Sequence, residues 1–166
     1  MAVKNFHEIR DPIHTFIRLD SDEREVVNSR PIQRLRDIHQ LAMTYLLYPG
    51  ATHRRFEHSL GVMELAGRVF DIITHPDHIR EDVIDAIPEL THPDKRIYWR
   101  RVLRMAALCH DVGHLPYSHA TERLLPKKLT HEDISVMLIR SEAMQQFWRN
   151  TCPPLDPGHV VKLAAC

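Results

Sequence analysis

The chain has 166 residues, enough for one domain with a real core, and 43% of them are hydrophobic, as in ordinary soluble proteins. Lys plus Arg equal Asp plus Glu at 22 each, so no bulk charge calls for nucleic acid or an anionic membrane. The unusual part is thirteen histidines, which can bind metal, move protons or respond to pH.

The N-terminal stretch "MAVKNFHEIRD" has no apolar core of a signal peptide, and no apolar run approaches the ~20 residues of a membrane span. Cys109, Cys152 and Cys166 are odd in number and follow no CxxC spacing. A reducing, cytoplasmic setting without disulfides is therefore expected. No repeat or linker appears, so residues 1–166 read as a single domain.

The pattern is mostly helical. In "LDSDEREVVN", Asp20 with Glu23 forms a capping-box signal. "RPIQRLRDIHQLA" predicts a helix with Pro31 in its first turn and Ile32, Leu35 and Ile38 on one face. "LLYPGATH" is a Pro-Gly turn. In "RRFEHSLGVMELAGRVFDII", His58, Val62, Leu65, Val69 and Ile72 follow helical spacing, which predicts an inward face carrying His58. The segment "THPDHIREDVIDAIPELTHPDK" reads as a short helix between loops, with His75, His78 and His92 at the surface.

"IYWRRVLRMAALCHD" is a second strong helix. Trp99, Leu103, Ala106, Ala107 and His110 share a face, and Cys109, with Met105 and Val102, reads as a buried small hydrophobe. Arg96, Arg100, Arg101 and Arg104 form a basic stripe, read as a solvated face; nucleic acid is the weaker alternative. Gly113 is expected in the left-handed conformation that ends helices. Ser118 is expected to cap "HATERLL", and Thr130 with Asp133 to cap one helix running through "HEDISVMLIRSEAMQQFW". Asp156 and Pro157 start a last short helix, "GHVVKLAAC", whose apolar residues need something to pack on.

Four histidines fall in "CHDVGHLPYSH". His58 and His110 on converging apolar faces, with Asp111 beside His110, supply two imidazoles and one carboxylate. This mixed set suits Fe, Mn, Zn or Ni better than Ca, and three protein ligands leave room for water or substrate.

The stretches "DPIH", "QRLRDIHQL", "YPGATHRRFEHSLGVMELAG", "ALCHDVGHLPYSHA" and "THED" closely resemble the HD-domain phosphohydrolases, and within them the deoxynucleoside triphosphate triphosphohydrolase, dGTPase-like branch. The similarity runs from about Ile9 to Ile139 in the same order. The resemblance implies an all-α HD-domain bundle in which His58, His110 and Asp111 are metal ligands for one divalent transition ion, with Mg possible alongside substrate. It implies that Arg55 contacts substrate phosphate and that Gln40 and Leu41 line a nucleoside pocket. His114 would sit beside the phosphates, His119 would be the general acid and Glu122 its orienting carboxylate. His131 and Glu132 would stand behind the ligands. The implied reaction is hydrolysis at the α-phosphorus, yielding a deoxynucleoside and triphosphate.

Three positions depart from that pattern: Thr15 and Ala42 stand where glycine is frequent, and Glu122 where aspartate is common. The family's fourth ligand is an aspartate on a later helix. Asp156 is the only aspartate after Asp133, and it fits a helix start better. The chain is therefore expected to be the N-terminal part of the family's catalytic core, incomplete at its C-terminus. A homo-oligomer or a separate C-terminal half would then complete it. The alternatives to a dNTP hydrolase are a non-catalytic nucleotide-binding fragment or subunit, and an HD hydrolase of another nucleotide phosphate.

Overall fold

The structure, a computed structural model, describes residues 6–126 and 129–165. The readings of Cys166 as an unpaired cysteine and of the first five residues as lacking an apolar leader lie outside that range. The described residues form the expected all-α fold with one addition, an antiparallel hairpin of β1 (Phe6–Asp11) and β2 (Thr15–Asp20). Alternation along β2 sends Ile17 and Leu19 into the core and leaves Phe16 exposed. Asp11 closes the turn by accepting from the N–H groups of Ile13 and His14 at 2.9 and 2.7 Å. Thr15 follows with φ 66°, and Ala42 has φ 48°. These are the two positions at which the resemblance led us to expect glycine, and the backbone supplies the reason.

Helix α1 (Ser21–Val27) carries the expected capping box: Asp20 accepts from Glu23 N–H, and the Glu23 carboxylate accepts from Asp20 N–H. Helix α2 (Arg30–Gln33) is shorter than its pattern suggested. It tightens into a 3₁₀ turn at Arg34–Asp37 and ends at Ile38, whose backbone is extended. Ile32, Leu35 and Ile38 are nonetheless all buried, as read.

Helix α3 (Arg55–Ile73) forms as expected but is rotated from the predicted face. Phe56, Ser59, Leu60, Met63, Gly67 and Phe70 point inward, while Leu65, Val69 and Ile72 are exposed. His58 is therefore at the rim of the core rather than on its inward stripe. A short helix, α4 (Glu81–Ala86), and a 3₁₀ turn at Pro88–Thr91 lead to α5 (Pro93–Cys109). Val102, Met105, Ala106 and Cys109 line its buried side; Trp99, Leu103, Ala107 and His110 are only half-buried. Burial pushes the Cys109 thiol up to about 12, which leaves it inert.

Helix α6 spans only His119–Glu122. The next expected helix divides into α7 (His131–Ile139) and α8 (Glu142–Asn150), broken at Arg140–Ser141. Thr130 and Asp133 do form the cap of α7. Asp156 caps α9 (Pro157–Ala164) by accepting from Gly158 N–H at 2.7 Å. Val160 of α9 is fully buried, and α9 packs on α5 and α7, so this helix finds cover within the chain.

The basic stripe on α5 is not a solvated face. Arg104 is 2% exposed and spends its donors on three segments. Its Nε and Nη2 reach the two Glu23 oxygens at 2.6 and 3.0 Å, and Nη2 also meets the Arg18 carbonyl at 2.9 Å. Nη1 meets Glu64 at 3.3 Å on α3. Burial alone would lower its pKa; Glu23 and Glu64 outweigh that and raise it. Gly67 is the opening that admits it, since a Cβ there would stand 2.7 Å from Nη1. Arg101 pairs with Asp20 and Asp22, and Arg100 donates to both Asp71 oxygens. Three of the four arginines are thus occupied by the protein's own carboxylates, and Arg96 donates to the Thr74 carbonyl.

Arg104→Ala strands Glu23 in the core and should lower stability by about 3–5 kcal/mol in urea denaturation, against less than about 1 for the half-buried Arg100→Ala. Equal losses would refute the ranking. Thr15→Gly should raise stability by about 1 kcal/mol, because left-handed strain outweighs the added chain entropy.

Candidate metal centre

Two local features carry the candidate ligands to one place. The first turn of α3 is fastened to the preceding segment by Arg55 N–H to Ile38 carbonyl and Gln40 N–H to His53 carbonyl, at 2.9 and 3.0 Å. This sets Arg55 and His58 beside Gln40, Leu41 and Ala42. The second feature follows α5. Gly113 is not left-handed, contrary to expectation; it is a close-approach glycine. A Cβ there would lie 2.0 Å from the His131 carbonyl oxygen and 2.4 Å from Ser135 N. Its N–H donates to Ser135 Oγ at 2.9 Å. The loop after α5 therefore lies directly on the first turn of α7.

The result is an open cleft of about 530 Å³, lined among others by Arg55, His58, His110, Asp111, His114 and His131. Gln40, Leu41, Ala42, Ser118 and His119 complete its wall. Glu122 faces an adjoining hollow with His119, and Glu132 is exposed and lines neither. All the expected site residues except Glu122 and Glu132 thus line this cleft. Asp156 belongs to the cap of α9 and to no ligand cluster among the described residues.

His58, His110 and Asp111 offer ligand atoms within 4.8 Å of one another. The two imidazoles meet edge to face with centroids 5.2 Å apart. His110 Nδ1 lies 2.7 Å from the Ala107 carbonyl, which makes Nδ1 the protonated nitrogen and leaves Nε2 a lone pair. That nitrogen is 3.5 Å from Asp111 Oδ1. On the other side, Arg55 Nη1 donates to Asp111 Oδ2 at 2.5 Å, and His58 Nε2 stands 3.7 Å from the same oxygen. A fixed tautomer, a carboxylate and a second imidazole suit a divalent transition ion.

Burial would raise the Asp111 carboxyl, but the contacts from His114, His110 and Arg55 hold it well below the usual carboxylate range. Burial lowers His58 and His114 below the ordinary imidazole value, more than Asp111 raises them. His114 is 3% exposed, stacks on His131 at 3.8 Å, and its buried Nδ1 has no hydrogen-bond partner among the described residues. Glu122 Oε1 accepts from His131 at 2.6 Å and His119 at 3.1 Å. Its slight burial works the other way, yet these contacts depress its pKa.

Ser118 departs from the sequence reading. Its side chain caps nothing; its Oγ accepts from Arg55 Nη2 at 2.8 Å. The helix-start pattern concealed this contact, and no local signal in the sequence points to a residue so far back in the chain.

Residues 55–152, more than half of the chain, match the HD domain family, and the chain belongs to it. It is 43% identical over 114 residues to an uncharacterized protein of Methanocaldococcus jannaschii, covering 69% of this chain and 20% of that one. It is 40% identical over 147 residues to the deoxynucleoside triphosphate triphosphohydrolase SAMHD1 of Bos taurus, covering 82% and 23%. The uncharacterized protein YwfO of Bacillus subtilis is 35% identical over 156 residues, covering 92% and 32%. The chain thus spans between a fifth and a third of these relatives' length. A crystal structure of a hypothetical protein from Aquifex aeolicus superposes with a TM-score of 0.63 at 28% identity, covering 96% of this chain and 41% of that one.

The lowered imidazoles have a consequence for the metal-free protein. The unfolded chain takes up protons at about pH 6.5, before the folded one does. With EDTA present, stability to urea should therefore fall as pH drops from about 7 through 6.5 and below, and fall further under about pH 4, where the Asp111 carboxyl protonates in the unfolded chain before it does in the folded one. A flat profile between about pH 7 and 5.5 would contradict the burial of His58 and His114.

Proposed function

We propose that the chain is a divalent-metal phosphohydrolase whose substrates are deoxynucleoside triphosphates. The observation that carries this reading is the gathering of His58, His110 and Asp111 with Arg55, His114 and His119 around one open cleft. The relatives named as triphosphohydrolases support the substrate class.

His58, His110 and Asp111 would hold the ion. When bound, it supplies Lewis-acid chemistry: activation of water and neutralisation of charge on a phosphoryl oxygen. The remaining work belongs to side chains. Arg55 fixes the Asp111 carboxylate and adds positive charge beside the phosphate path. His114, buried against Asp111, stands at the other carboxylate oxygen, Oδ1, at 3.4 Å. His119 is the exposed member of the group, 70% by side chain. Glu122 engages its Nδ1, leaving Nε2 to deliver a proton to the departing 5′-oxygen. His131 holds Glu122 in place for that task. Gln40, whose buried Oε1 has no partner among the described residues, and Leu41 offer one polar and one apolar contact to the nucleoside.

Incubation with each deoxynucleoside triphosphate and Mn²⁺, followed by anion-exchange separation, should yield inorganic triphosphate. His110→Ala should abolish both metal retention and product. His119→Ala should keep the metal and lose about 10²–10⁴-fold in rate. No product from metal-loaded protein on any of these substrates would overturn the reading.

A further inference from the structure

We propose that Ser118 is a positioning residue: its hydroxyl fixes the Arg55 fork so that Asp111 is held in its metal-binding orientation. The inference rests on the metal-centre reading above. Two consecutive residues, Tyr117 (φ 68°) and Ser118 (φ 53°, ψ −133°), stand in backbone regions that favour glycine. Such strain at the mouth of a cleft persists only where the surroundings hold it. The strained turn aims Ser118 Oγ into the protein, where the residue is 8% exposed.

There Oγ accepts from Arg55 Nη2 at 2.8 Å, while Nη1 of the same guanidinium grips Asp111 Oδ2 at 2.5 Å. Arg55 is itself 4% exposed and its Nε has no partner, so among the described residues its guanidinium is held by these two contacts. With Oδ2 occupied, Asp111 Oδ1 is turned toward His110 and His114, at 3.5 and 3.4 Å. Loss of the hydroxyl leaves Nη2 buried without an acceptor, and the guanidinium must move to find one. The carboxylate then loses its fixed orientation. Removal of such outer partners of metal ligands commonly weakens binding 10–100-fold.

Glycine separates this role from a structural one, because it relieves the backbone strain and deletes the hydroxyl together. Mn²⁺ titration of the apo-protein, read by the EPR signal of free Mn²⁺, and thermal melting should be compared for native protein, Ser118→Gly, Ser118→Ala and His110→Ala. We expect Ser118→Gly to melt above Ser118→Ala, yet both to bind Mn²⁺ about 10–100-fold more weakly than native. Native affinity in Ser118→Gly, with His110→Ala unable to bind, would overturn the positioning role and leave the metal centre standing. Undiminished binding by His110→Ala, or no binding by the native protein, would sink the metal centre, and this inference with it.

Discussion

One buried guanidinium organises the scaffold. Arg104 reaches β2 through the Arg18 carbonyl, α1 through Glu23, and α3 through Glu64 and the Met63 carbonyl. Glu23 is at once its partner and the N3 member of the α1 capping box, so helix start and core pairing constrain one side chain. An ion pair this deep gives little net stability compared with an apolar packing, but removing one partner is severe. In this arrangement of hairpin, α1, α3 and α5, every guanidinium nitrogen meets an acceptor. Gly67 is the steric condition for that arrangement, since any side chain there would occupy the guanidinium's place.

The cleft inherits its geometry from this packing. With α3 and α5 fixed against each other, the start of one and the end of the other present His58 and His110 at 5.2 Å between rings. A second close approach, at Gly113, lays the following loop on α7 and brings His114 against His131. Two glycines chosen for missing side chains thus govern where the titratable groups stand. The same economy explains the division of Asp111: one oxygen faces Arg55 and His58, the other His110 and His114.

Most helices were legible in the sequence because capping signals and apolar spacing agree locally: Asp20 with Glu23, Thr130 with Asp133, and Asp156 before Pro157 all form the caps their patterns imply. The hairpin was not, because its strands are six residues long and only Ile17 and Leu19 are deeply buried amid charged neighbours. The face of α3 was misjudged for a related reason. That helix carries apolar residues on two sides, and spacing alone cannot choose between Leu60–Met63–Gly67 and Leu65–Val69–Ile72. The deciding group is Arg104, whose guanidinium needs Gly67 and lies far away in sequence. Similarly, the charge of the α5 stripe was readable but its partners were not, since they come from α1 and α3. At the site, residue types and gathering were readable from motif resemblance. Ser118's bond to Arg55 was not, because it depends on two unusual backbone angles.

The Arg104–Glu23 bond joins residues 81 positions apart. On a ribosome adding about 5–20 residues per second, that separation corresponds to roughly 4–16 s of synthesis. Until Arg104 has been made, the hairpin and α1 lack the cation that locks them. A lone two-stranded hairpin is marginal in water. Ile17 and Leu19 therefore spend that interval without their final cover, on a nascent chain with two open strand edges. Translation thus supplies Arg104, the group that ties the hairpin and α1 to α3, only after all three of those elements have been made.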